Sequence, residues 1–256
     1  GAVDATKAKN LTEKIENYRA LTRATDAVDS VSQDTNSLTQ ARGTVQYAGD
    51  TMDVSFDSST REKIVLRNGK VQLSSETKIT QNGETTESGT WIKDGWLYLY
   101  TKDGGVTAKN KVAVDDSMTD ADLAEVESNQ VDKVGLSAIK SISVVKDGLT
   151  SYYSVDVDAS AAAFLSGILE NYVDEDDKDL TSIEVSDIKV TYTVNSQGVL
   201  GAMTTSFRLK IVYASGEFQG DPMVMDMKYT VATNILATGN AVSITFPDFS
   251  DYVILN

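Results

Sequence analysis

Hydrophobic positions near the start of the chain recur at steps of three and four: Ala8, Leu11, Ile15, Tyr18 and Leu21. No proline or glycine interrupts residues 4–25. A helix of roughly 3.6 residues per turn places these side chains on one stripe, so the pattern predicts an amphipathic helix. From Asp26 to Arg42 the residues become Asp, Ser, Thr, Gln and Asn, which predicts a loop or the frayed end of that helix. Residues 1–42 read as an N-terminal helix and linker belonging to the same single domain as 43–256.

The period then falls to two. Thr44-Val45-Gln46-Tyr47 and Met52-Asp53-Val54-Ser55-Phe56 alternate polar with apolar, and Ile64-Val65-Leu66 and Val71-Gln72-Leu73 flank Asn68-Gly69. Asn-Gly favours a two-residue hairpin turn because both central positions need positive φ. Similar signals at Asn82-Gly83, Asp94-Gly95 and Asp103-Gly104 predict an antiparallel meander. Ser117-Met118-Thr119-Asp120 then reads as the start of a helix over 118–128, with Ser117 as N-cap and Asp120 meeting the helix dipole.

Beyond Gly135 the strand pattern returns through Ile139, Ile142, Val144 and Val145, turns at Asp147-Gly148, and runs back through Tyr152, Tyr153, Val155 and Val157. A second amphipathic helix is predicted over Ala159–Tyr172, with Phe164, Leu165, Ile168 and Leu169 on its apolar face. Strands are predicted at Ile183–Val194, Met203–Tyr213, Met223–Thr233 and Ala241–Phe246. Pro222 and Pro247 fall at their margins, where a missing amide donor does no harm. The order of helix, meander, short helix, hairpin, helix and meander defines an α+β chain. Two meanders, each introduced by a helix, hint at an internal duplication that no residue-level repeat supports.

Composition narrows the chemistry. The 256 residues include neither cysteine nor histidine, which excludes disulfides, Cys/His zinc sites, thiol nucleophiles and histidine-based triads. The net charge of −15 opposes nucleic-acid phosphates and anionic membrane surfaces. The first residues, GAVDATKAKN, carry no basic-then-apolar leader. A lone leading glycine resembles a cleavage scar, and the Thr/Ser/Asp-rich, cysteine-free sequence suits an exported bacterial protein. Its contact with a membrane would then be through an N-terminal lipid anchor removed with the leader.

Several segments resemble the LolA/LppX-like superfamily of exported lipoproteins and lipoprotein carriers. They are the N-terminal helix leading into Gly43-Thr44-Val45-Gln46-Tyr47, the hairpin Trp91-Ile92-Lys93-Asp94-Gly95-Trp96-Leu97-Tyr98-Leu99-Tyr100, the stretch Tyr192–Leu200, and the closing Ile244–Tyr252. The resemblance implies a strongly curved antiparallel sheet, an incomplete β-barrel, with helices packed across its concave face and an apolar cavity between them. It implies no catalytic motif.

In Trp96-Leu97-Tyr98-Leu99-Tyr100 both strand faces are apolar, so each needs a cover, either core or ligand. Met223, Met225 and Met227 share one face and, with Phe207, Leu209 and Ile211, form a second apolar wall that reads as adaptable core or as a pocket lining. The candidate ligand wall is Trp96, Tyr98, Phe164, Ile168, Met223, Met225 and Met227. The acidic run Asp174-Glu175-Asp176-Asp177-Lys178-Asp179 offers oxygen ligands, but counting from Asp174 places Asp179 and Val185 where an EF-hand needs glycine and glutamate. Ser137-Ala138-Ile139-Lys140 lacks the companion motifs of a penicillin-recognising site, and no P-loop, GxSxG or GxGxxG occurs. A carboxylate pair for glycoside hydrolysis would need two acids facing each other across a cleft.

The sequence therefore predicts no catalytic residue, no metal site and no cofactor. It predicts an exported, lipid-anchored protein that binds a hydrophobic small molecule, lipid or acylated peptide. The alternative is an interaction or scaffold domain with a self-filled core.

Overall fold

The helix runs longer than its apolar stripe. In a computed structural model describing residues 2–31, 34–47, 54–117, 138–158, 179–214 and 223–255, α1 spans Ala2–Val31. Leu21 and Ala24 are buried, whereas Leu11 is 56% exposed. The polar stretch predicted as a loop or the end of the helix divides between two elements: α1 takes it as far as Val31, and β1 (Thr35–Tyr47) takes it from Thr35.

Eleven further strands follow: β2 (Val54–Arg67), β3 (Lys70–Gln81), β4 (Glu84–Lys93), β5 (Trp96–Asp103), β6 (Val106–Ala113), β7 (Ile139–Asp147), β8 (Thr150–Val157), β9 (Leu180–Val194), β10 (Leu200–Tyr213), β11 (Met223–Thr238) and β12 (Val253–Ile254). They form one sheet of 12 strands in the order β12-β6-β5-β4-β3-β2-β1-β11-β10-β9-β8-β7. The two meanders are present as runs of sequence neighbours, β2 to β6 and β7 to β11.

This architecture corrects the expected one. The described residues are mostly strand with a single α-helix, the sheet is open, and helices packed across a concave face are not seen among them. The incomplete barrel implied by the LolA/LppX resemblance therefore does not describe this chain, and the lipoprotein and LolA-like descriptions that depended on it find no support. The helices predicted over 118–128 and 159–172 lie outside the described residues. Ser117, where the first of these was predicted to start, forms an antiparallel bridge with Lys70.

The turns follow backbone chemistry. Asn68-Gly69, Asn82-Gly83 and Asp94-Gly95 all have positive φ at both positions, as the two-residue hairpin requires. After β5 the loop is Gly104-Gly105, one residue later than Asp103-Gly104, because the pair of glycines takes both left-handed positions. Strands extend well beyond their apolar patches because opposed hydroxyls hold the polar parts together. Thr60 meets Thr77 at 2.8 Å and Thr80 meets Thr85 at 3.1 Å, each directly across a hairpin.

The chain forms two compact units. The first comprises residues 1–27, 43–55 and 132–231. Its buried face alternates along β8 (Tyr153, Val155, Val157) and β9 (Ile188, Val190, Tyr192, Val194) and continues through Phe207, Leu209 and Ile211 of β10. The apolar positions of β9 change parity between Val185 and Ile188. The β9–β10 register shifts at the same place, with Asp187 at φ +54°. This bulge absorbs one residue and keeps Val185 and Ile188 on the same side. Arg208 donates from Nε to Asp226 Oδ1 at 2.8 Å and from Nη2 to Oδ2, a bidentate pair that holds Asp226 below the usual carboxylate range.

The second unit comprises residues 28–42, 56–131 and 232–256. One face of its β2–β5 sheet buries Ile64 and Val71 with Leu66, Leu73 and Ile92 packed against them. Two buried carboxylates serve as backbone anchors. Asp34 accepts the Leu66 N–H at 2.9 Å and pairs with Arg67 at 2.5 Å, while Asp116 accepts the Gly95 N–H at 2.9 Å.

Candidate functional site

The opposite face of the second unit carries the chemistry, and the hairpin registers dictate what stands there. Arg61, Glu76, Gly89, Tyr100 and Lys109 lie directly across from one another over five strands, β2 to β6. The next row on the same face is Lys63, Ser74, Trp91, Tyr98 and Lys111. Side chains two residues apart share a face, so the two rows form one surface. Gly89 has a steric role here: a Cβ at that position would overlap the outer ring of the Trp91 indole. The missing side chain lets Trp91 fold back along its own strand, where it is only 4% exposed.

A segment expected to be a strand covers part of this surface. Residues 242–252 contain no ladder strand, although Val242, Ile244 and Phe246 alternate as a strand would. After a 3-10 turn at Gly239–Ala241 the segment crosses the face as a strap, attached through side chains. Lys63 donates to the Ser243 carbonyl at 3.1 Å, and Lys93 lies 5.1 Å from the centroid of the Phe246 ring. Phe249 stacks on Tyr98 and lies 5.7 Å from Trp91. Tyr252 meets both Tyr98 and Phe249 edge-on, at 5.5 and 5.2 Å. Lys109 pairs with Asp251 at 2.6 Å, and the strap ends in β12, which joins β6 in parallel at Asn110 and Lys111.

Beside the strap opens a cleft of ≈ 710 Å³. Arg61, Glu76, Lys78, Glu87, Trp91 and Tyr100 line it from the sheet, with Leu38 from β1, Lys109 from β6, and Pro247, Asp248 and Tyr252 from the strap. Lys78 and Glu87 lie 3.9 Å apart. Asp248 accepts the Ser250 N–H at 2.9 Å, which holds its carboxyl below the usual range. Burial pushes the Tyr252 phenol up, and the Asp251 carboxylate raises the Lys109 ammonium.

The candidate wall residues fall in separate places. Trp96 and Tyr98 stand half-buried on β5 in the second unit, Trp96 beneath the Lys111 ammonium at 4.7 Å and Tyr98 beneath Phe249. Met223, Met225 and Met227 lie on β11 in the part belonging to the first unit, where Met227 is buried and Phe207, Leu209 and Ile211 are closed off as well. Phe164 and Ile168 lie outside the described residues, as do residues 174–178 of the acidic run. Arg61, Glu76, Lys109 and Asp248 were not singled out from sequence. The one local signal for Arg61 and Glu76 was the run of charges in β2 and β3, which reads equally as a solvated strand face.

Among the described residues no group of carboxylates, histidines or cysteines could hold a metal ion, and no helix is long and apolar enough to cross a membrane. No family model matches the chain, and no curated protein does. Among solved structures it is similar to the crystal structure of the ywiB protein from Bacillus subtilis. That match has 10% identity and covers 80% of this chain and 94% of that one. The TM-score of 0.19 is too low to inform fold or function.

Proposed function

We propose that this chain is a non-catalytic interaction domain whose apolar surfaces are filled by its own side chains and whose ligand enters the polar cleft of the second unit. One observation carries the reading: Phe249 occupies the face of Tyr98 that a hydrophobic ligand would need. The burial of Leu209, Ile211 and Met227 gives further support, since these side chains of the first unit's wall are closed off by the protein itself. Two of the three carboxylates of the cleft also favour binding over catalysis. Glu87 is close to Lys78, and Asp248 is held ionised by the Ser250 amide, the opposite of the raised carboxyl that a general acid requires. The export expected from composition is compatible with this function.

The test is native mass spectrometry of the purified chain beside organic extraction of the same sample, followed by titration with an environment-sensitive fatty acid. The expected result is an empty protein and no saturable uptake. A stoichiometric lipid, or saturable probe binding, would overturn the proposal.

A further inference from the structure

The groups that the cleft leaves without partners define the chemistry of its ligand. Lys109 is held by Asp251, Lys78 lies beside Glu87, and Asp248 accepts from Ser250. Arg61 and Glu76 face each other across β2 and β3, yet neither makes an ion pair or hydrogen bond among the described residues. The guanidinium offers donors only and the carboxylate accepts only, so a ligand serving both must donate and accept from adjacent atoms. Neighbouring hydroxyl groups do this without carrying charge.

Three further observations point the same way. The three cations lining the cleft, Arg61, Lys78 and Lys109, are matched by three anions, Glu76, Glu87 and Asp248, so the cleft favours neither a polyanion nor a polycation. The net charge of −15 opposes an anionic ligand from a distance. In the same row as Arg61 and Glu76, beyond Gly89 and the buried Trp91 indole that lies over it, stands the half-buried ring of Tyr100, and the Trp91 indole N–H has no hydrogen-bond partner among the described residues. An aromatic face next to a donor–acceptor pair suits a ring with C–H groups on one side and hydroxyls at its rim. A peptide would instead need an apolar pocket for an anchor side chain, and Phe249 and Tyr252 already fill the aromatic part of this surface.

We infer that the cleft between the strap and strands β2 to β6 binds a neutral oligosaccharide, with Arg61 and Glu76 bonding adjacent hydroxyls and Tyr100 packing against a sugar ring. A volume of ≈ 710 Å³ lies within the range of small-ligand sites and leaves room for more than one ring. The inference rests on the non-catalytic reading above and specifies its ligand.

The experiment titrates the full chain with neutral hexasaccharides of glucose, mannose, xylose and N-acetylglucosamine in their common linkages, read by calorimetry and tryptophan emission. At least one should saturate at 1:1 with a Kd of about 1 mM or tighter. Arg61→Ala and Glu76→Ala should each weaken it by about tenfold or more. Both sites are exposed, so the variants should melt as the parent does, and Tyr152→Ala in the other unit should leave binding unchanged. Saturation by none of the saccharides, binding indifferent to both substitutions, or saturation by an alternating Glu-Lys peptide at the same site would each overturn the inference. Shorter saccharides appearing in the cell would sink the non-catalytic reading while leaving sugar binding in place. An empty protein that takes up neither lipid nor sugar would sink the sugar inference alone.

Discussion

The Phe249 ring lies flat on the Tyr98 ring, with centroids 3.7 Å apart and planes 7° from parallel. Trp91 and Tyr252 close around the same pair, so Phe249 is the side chain through which the strap grips the sheet. Phe249→Ala should destabilise the second unit by about 2 to 3 kcal/mol, less than a fully buried phenylalanine because this ring is half-buried. Both tryptophans of the chain, Trp91 and Trp96, lie in that unit, so urea unfolding followed by tryptophan emission reports it directly. The native spectrum should also shift to the red.

Gly89→Ala tests the placement of Trp91. The new methyl group would occupy the volume of the indole, and a buried ring has no free rotamer to retreat to. The expected cost is about 2 kcal/mol, with a red-shifted emission that Gly83→Ala, at a turn with open space around it, would not produce.

Asp187 supplies the residue absorbed by the β9 bulge. Deleting it would turn Ile183 and Val185 to the opposite side of the strand from Ile188 and Val190, and the first unit should then fail to give a cooperative melt. Asp187→Gly keeps the residue count and relieves a left-handed backbone position, so its melting temperature should stay within a few degrees of the parent.

Alkaline pH should loosen the strap. Burial raises the Tyr252 phenol above its ordinary value near 10, and Asp251 raises Lys109 above 10.5. In both cases the folded state keeps its proton longer than the unfolded one. Their contribution is therefore complete below pH of about 10 and is lost as pH rises through the folded values. The urea midpoint read by tryptophan emission should fall between pH of about 10 and 12. Tyr252→Phe should flatten part of that fall, and a midpoint indifferent to pH across the window would contradict the assignment.

Local chemistry made much of the fold legible. Asn68-Gly69, Asn82-Gly83 and Asp94-Gly95 marked the hairpins because positive φ at two successive positions is a demand few residue pairs meet. The first half of β1 escaped notice because Thr35 to Gln40 carry almost no apolar signal, and their place is set by partners such as Thr233, which meets Thr39 at 3.1 Å. The strap was mistaken for a strand for the opposite reason. Val242, Ile244 and Phe246 have the right alternation, but periodicity records which side is buried and is blind to whether the backbone joins a ladder. The cleft was not legible at all. Arg61, Glu76, Tyr100 and Lys109 come from four different strands, and only the register of successive hairpins sets them side by side. The expected covering of the sheet by helices went beyond the pattern, because an amphipathic stripe says that a face is covered without naming what covers it.

The strap also sets a timetable. Lys109 and its partner Asp251 are 142 residues apart, and the whole central part of the first unit is made between them. At ribosomal speeds of about 5 to 20 residues per second, roughly 7 to 30 s separate the emergence of the aromatic sheet face from that of the segment that covers it. For that interval Trp91, Tyr98 and Tyr100 are open to solvent on a nascent chain, so the period of greatest stickiness for this protein falls during its own translation.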